Sequence, residues 1–141
     1  MSAPAGYDYF DVAADVGVKA WGPTPPEVFA QAGLGVFALM VDPVSVEARQ
    51  SREVSAQGES LETLLVNWLN ECLYVHDIEG FVVSRIEFPV FEAQRVHSLL
   101  WGEGLDPARH RVGTLVKAAT FHELWIGRAG GGWEVRVILD I

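Results

Sequence analysis

Cysteine is nearly missing from this sequence: Cys72 is the single one. One thiol cannot close a disulfide within the chain. Its neighbours Trp68, Leu69 and Leu73 mark it as a small buried hydrophobe rather than a nucleophile. No apolar run reaches the roughly 20 residues of a membrane span. The opening MSAPAGYDYF lacks the basic-then-apolar order of a secretion signal. These absences lead us to expect a cytoplasmic protein without membrane contact. Positive charge is also scarce. Ten Lys and Arg stand against 19 Asp and Glu, a net charge of −9. Phosphate backbones are held by basic patches, so no stable direct binding of nucleic acid is expected. The balance fits a basic protein partner or a cation, and it also serves plain solubility.

Catalytic motifs are absent too. There is no GxSxG, no HExxH, no phosphate-binding loop and no CxxC. Gly130, Gly131 and Gly132 read as a turn, because no helix follows them to cradle a dinucleotide. His76, His97, His110 and His122 are scattered, and each reads as a surface or half-buried residue. Nothing supports a Ser-His-Asp or Cys-His system.

What is present is apolar and patterned. Half of the 141 residues are hydrophobic, enough for one domain with its own core over residues 1–141. Residues 1–6 are small and expected to be flexible. Tyr7 to Val12 reads as a strand, and Asp15 to Trp21 as a second with a period of two. Thr24 is an N-cap, with Pro25 and Pro26 in the first turn and Glu27 closing a capping box. Val28, Ala32, Val36 and Met40 then repeat every four residues as a helix stripe. Gly33 and Gly35 weaken that helix and permit close approach to another element. Asp42-Pro43 stops it.

Val44 to Gln57 reads as one or two exposed strands. Ser60 caps a second helix, whose apolar stripe runs from Leu61 to Leu73 and which closes at Asp77 to Gly80. Val82 to Phe91 and Arg95 to Gly104 read as a hairpin turning near Glu92-Ala93-Gln94. Leu105 to Val112 is a loop. Thr114 to Thr120, Phe121 to Gly127 and Trp133 to Ile141 are three more strands. Two helices and about seven strands in this order predict an α+β domain. Its helices pack on one face of a largely antiparallel sheet, as a two-layer sandwich.

The final run, WEVRVILDI, organises the rest. Trp133, Val135, Val137 and Leu139 alternate with Glu134, Arg136, Ile138 and Asp140. An apolar strand closing the sequence is expected to be docked in a sheet. Docking sets the Asp140 side chain beside the carboxylate of Ile141, and paired carboxylates call for a cation. Asp8, Asp11 and Asp15 gather near the first strands, and Asp42 sits at a helix end. Oxygen donors of this kind suit Ca²⁺ or Mg²⁺ rather than zinc. Spacing alone does not show that Asp15 and Asp140 meet, and solvated surface acids are the plain alternative.

Several stretches, in order along the whole chain, resemble the archease family. They are Tyr7-Asp8-Tyr9-Phe10-Asp11 with Ala14-Asp15-Val16-Gly17; Ala20-Trp21-Gly22; Phe37-Ala38-Leu39-Met40 with Asp42; Leu65-Val66-Asn67-Trp68-Leu69-Asn70-Glu71; Gly113-Thr114 with Val116-Lys117-Ala118; and Val137-Ile138-Leu139-Asp140-Ile141. The resemblance implies a small acidic protein with two helices packed on β-sheet. It implies a partner, the RtcB-type RNA ligase that joins RNA ends in tRNA splicing and RNA repair with GTP and divalent metal. In that picture the protein is not an enzyme. It promotes guanylylation of the ligase histidine and lets the ligase turn over. The resemblance also implies a divalent metal, expected to be calcium with magnesium or manganese as alternatives. Its ligands would be Asp15, Asp140 and the carboxylate of Ile141. The family lysine falls on Lys117, which would contact phosphate, pair with the acidic cluster, or form a structural salt bridge.

The chain departs from the family pattern at two places. The His-Thr-Ala-Asp motif is Val12-Ala13-Ala14-Asp15 here, and the usual acid of Gly-Thr-x-Val-Lys is Leu115. Two other readings stay open. One is a metal-dependent hydrolase built on Asp15 and Asp140, which needs a general base and an open coordination position. The other is a general chaperone or interaction module using Trp21 and Trp101, if these lie on the surface.

Overall fold

A computed structural model describes residues 4–141. Of the flexible opening expected over residues 1–6, the part at 1–3 lies outside the described residues. Gly6 already belongs to a strand. That strand, β1 (Gly6–Val12), forms a hairpin with β2 (Asp15–Gly22). Helix α1 (Pro25–Met40) starts as its capping box predicts: the Thr24 hydroxyl oxygen accepts from the Glu27 N–H. Asp42 then caps a short 3₁₀ turn, Pro43–Ser45, by accepting from the Val44 N–H. Only one strand, β3 (Gln50–Gln57), follows. Ser60 caps α2 (Leu61–Glu79), and Gly80 ends it. The hairpin of β4 (Phe81–Phe91) and β5 (Arg95–Gly104) turns where expected.

The last third differs most from the sequence expectation. Thr114 to Thr120 contributes only the two-residue β6 (Ala118–Ala119). β7 (Trp125–Ala129) starts late, because Phe121 to Leu124 forms a turn with Glu123 at φ 50°. β8 (Gly132–Asp140) follows through Gly130 and Gly131, both at positive φ, as a two-residue hairpin turn needs.

The strands divide into two antiparallel sheets rather than one. The first has β2 between β1 and β8, with β6 and β7 both on the far edge of β8. The second runs β3, β5, β4. Helix α1 packs against both, contacting β2 on one side and β4 on the other. Its glycines make this possible. A Cβ at Gly33 would stand 2.7 Å from the Trp68 ring, and one at Gly35 would stand 2.9 Å from Val18. Trp68 and Phe29 are fully buried, and Phe88 and Phe91 pack around them. The indole N–H of Trp68 donates to Ser98 at 2.9 Å, and Ser98 donates to the Val54 carbonyl at 2.8 Å. This buried polar chain is therefore satisfied. Its packing makes helices and sheets one rigid frame for the surface described next.

Candidate functional site

Register decides whether the two aspartates meet. The β2–β8 ladder pairs Val16 with Leu139, so its next step outward sets Asp15 opposite Asp140. The β1–β2 ladder pairs Val12 with Asp15, and the β6–β8 ladder pairs Ala118 with Asp140. Residues directly opposite one another share a face. Val12, Asp15, Asp140 and Ala118 thus form one row across the sheet end. Val18, Ala20, Val135 and Val137 alternate with that row and fill the buried face toward the helices. The row therefore lies on the outer face. Asp15 is half-buried and Asp140 exposed.

Ile141 is partly buried and packs against the core, so the end of the strand is docked as expected. Asp8 lies on the same face but opposite Lys19, two rungs from the Asp15 row. Asp11 points to the other face, and Asp42 is occupied as a cap. These three do not join the pair. Among the described residues, no three His, Cys, Asp or Glu side chains converge to hold a metal. The expected set contains only two such side chains, Asp15 and Asp140, completed by the carboxylate of Ile141. Like charges opposite each other on a sheet repel, and an all-oxygen set fits a hard cation. The residues fit a dication as part of a shell, with its remaining oxygens from water or a partner. The missing motif histidine is explicit in the row, where Val12 offers Asp15 no donor.

Lys117 is held beside the row through its backbone. Its N–H donates to the Asp140 carbonyl at 2.8 Å. Among the described residues its ammonium forms no ion pair, so the salt-bridge role is not adopted here. The segment leading to it is pinned along its length. The N–H groups of Gly113 and Thr114 donate to the Met40 and Leu39 carbonyls, both at 2.7 Å. These are end carbonyls of α1, which has no glycine cap of its own. Beyond Lys117, the Asn70 side chain both donates to and accepts from the Ala119 backbone, tying α2 to β6.

A second cluster was not visible in the sequence. Glu103 and His110 are both 4% exposed. Glu103 accepts from Arg109 through both oxygens, from the Glu47 N–H at 2.7 Å, and from His110 at 3.0 Å. The Arg109 hydrogen bonds and then the Glu47 N–H hold its carboxyl down at about 2, against the opposing effect of burial. His110 accepts the Asp106 N–H at Nδ1, which fixes the Nε2–H tautomer facing Glu103. The period of β5 assigns Glu103 to the open face. The loop after it folds back and covers it, a long-range event with no local signal.

The other histidines have local roles. His76 bonds the Phe81 carbonyl at 2.9 Å, and His97 bonds Ser55 directly across β3–β5 at 2.7 Å. His122 is exposed beside Glu123. Trp21 and Trp101 are partly buried, and the Arg85 guanidinium lies 5.0 Å over the Trp101 ring. They are not the exposed aromatics that a general interaction module would use. No described helix is long and apolar enough to cross a membrane.

Comparison with known proteins adds a family. The sequence model described as Archease protein family (MTH1598/TM1083) matches residues 7–141. The protein archease of Pyrococcus abyssi is 34% identical over 139 residues, covering 96% of this chain and 98% of its own. That of Methanosarcina mazei is 32% identical over 139 residues, covering 96% and 95%. The solution structure of Methanobacterium thermoautotrophicum protein 1598 superposes with TM-score 0.81 at 35% identity, covering 96% of this chain and 99% of its own. A Thermotoga maritima structure, described as an archease and possible chaperone, shares the fold at TM-score 0.63. Its identity is 17%, and the match covers 100% of this chain and 98% of its own.

Proposed function

This chain belongs to the archease family, and from that premise we propose that it is a non-catalytic cofactor of an RtcB-type RNA ligase. It acts in the cytoplasm, in tRNA splicing or RNA repair. It promotes guanylylation of the ligase and its multiple turnover through the acidic row at the sheet end. The observation that carries this reading is the β2–β8 register, whose last pair Val16–Leu139 runs on to Asp15 and Asp140, with Lys117 bonded to the Asp140 backbone. When bound, a divalent ion, calcium by preference with magnesium or manganese as alternatives, supplies positive charge that offsets carboxylate repulsion and attracts phosphate oxygens. Asp15, Asp140 and the Ile141 carboxylate would hold it. Lys117, free of ion pairs among the described residues, would meet a phosphate of the ligase nucleotide.

A hydrolase built on the same pair is less well supported. Among the described residues no third His, Cys, Asp or Glu side chain joins Asp15 and Asp140 to act as a general base.

The test is multiple-turnover RNA joining by the same organism's ligase, with GTP and Mn²⁺. Wild type is expected to restore turnover. Asp15→Ala and Asp140→Ala, folded by circular dichroism, are expected to fail. No effect of wild type on joining or on guanylylation would leave only the fold from this reading.

A further inference from the structure

Two exposed large hydrophobic side chains face one groove: Tyr74 on α2 is 62% exposed and Leu115 is 65% exposed. Between α2 and residues 115–118 lies a groove of ≈ 430 Å³ lined by Leu73, Tyr74, Asp77, Leu115, Val116 and Lys117, among others. We propose that this groove docks an apolar side chain of the protein partner, with a lysine or arginine of that partner against Asp77. The proposal rests on the cofactor reading above and names the docking face of that partner.

Three observations support this occupant. The first is rigidity. The 112–118 segment has almost no regular structure, yet the α1 carbonyls, the Asp140 carbonyl and Asn70 hold it at both ends. An apolar loop held open costs little further ordering on binding. The second is continuity: Lys117 and Ala118 belong both to the groove and to the acidic row or its backbone. A partner that contacts the row at Ala118 borders this groove. The third is charge. Asp77 lines the α2 side of the groove, and Lys117 lines the other side. A carboxylate at the helix edge of an apolar groove is matched by a lysine or arginine flanking the docked apolar side chain. Leu115 stands where the resembled family carries an acid, so this chain has an apolar contact at that place.

The test measures binding of the same organism's RtcB-type ligase by surface-immobilised titration, alongside ligation. Leu115→Glu and Asp77→Lys are expected to weaken binding by about tenfold or more. Val44→Glu is the control, since Val44 is 92% exposed and does not line the groove. It is expected to bind like wild type. Melting temperatures of all variants check folding. If wild type binds and stimulates but the groove variants do so equally well, this docking face is wrong and the cofactor reading stands. If wild type neither binds nor stimulates, the cofactor reading fails and takes the docking face with it.

Discussion

At the scale of single residues, the chain spends its buried charge away from the acidic row. Glu103 keeps its carboxylate ionised under cover because Arg109, the Glu47 N–H and His110 all donate to it. With its folded value at about 2 against an ordinary carboxylate value of 4.5, it stabilises the fold fully above that ordinary value. The contribution is lost as pH falls from there toward 2. Glu103→Gln is expected to cost about 1–3 kcal/mol near neutral pH, since it strips charge from a buried carboxylate that accepts several hydrogen bonds. In urea unfolding, the gap between variant and wild type is expected to hold from about pH 7 to 5 and to narrow from about pH 4.5 to 3. A gap that stays constant into that acid range would show that the charge of Glu103 is not what matters. Little of this was legible in the sequence. Asp15 and Asp140 stood out through the family resemblance and the alternation of WEVRVILDI, but only register places them face to face. Glu103 and His110 depend on a loop folding back, and nothing within either residue's neighbourhood signals that.

At the scale of elements, local chemistry was readable wherever the chain satisfies itself locally. Thr24 with Glu27, Ser60, and the β4–β5 turn all fall where side-chain caps and turn residues put them. The failure at Thr114 to Thr120 has a physical reason. Its β-forming residues resemble a strand, yet the backbone N–H groups of Gly113 and Thr114 cap α1, and that of Lys117 joins β8. The segment is a clasp between a helix end and a sheet end, and its hydrogen-bond partners lie far away in sequence. Gly113 is the tight point, where a Cβ would stand 2.4 Å from the Leu39 carbonyl oxygen. Gly113→Ala is expected to destabilise by about 1–3 kcal/mol, because backbone must shift. Gly104 has nothing within 4 Å of such a Cβ. Gly104→Ala is expected to be neutral or to stabilise by up to about 1 kcal/mol. Chemical unfolding of both variants checks the contrast. Equal effects would mean that the clasp yields freely and does not fix Lys117.

At the scale of the whole molecule, the proposed cofactor role would divide the work of association between the net charge of −9 and the groove. The field reaches well beyond contact, so it acts on encounter. The proposed groove would act only after contact, and so on release. Steering by charge is screened by salt, whereas an apolar anchor is not. The association rate with the ligase is therefore expected to fall by about tenfold between about 50 and 500 mM NaCl, with the dissociation rate changing less than about threefold. Leu115→Glu is expected to do the reverse: faster release, with a nearly unchanged dependence of association on salt. Stopped-flow or biosensor kinetics over that salt range measures both. An association rate insensitive to salt would assign the surplus of carboxylates to solubility and leave recognition to the groove alone. A salt-sensitive rate in the wild type that flattens in Asp15→Asn and Asp140→Asn would trace the steering to the row at the sheet end. The carboxylates that repel each other in the free protein would then also draw its partner in.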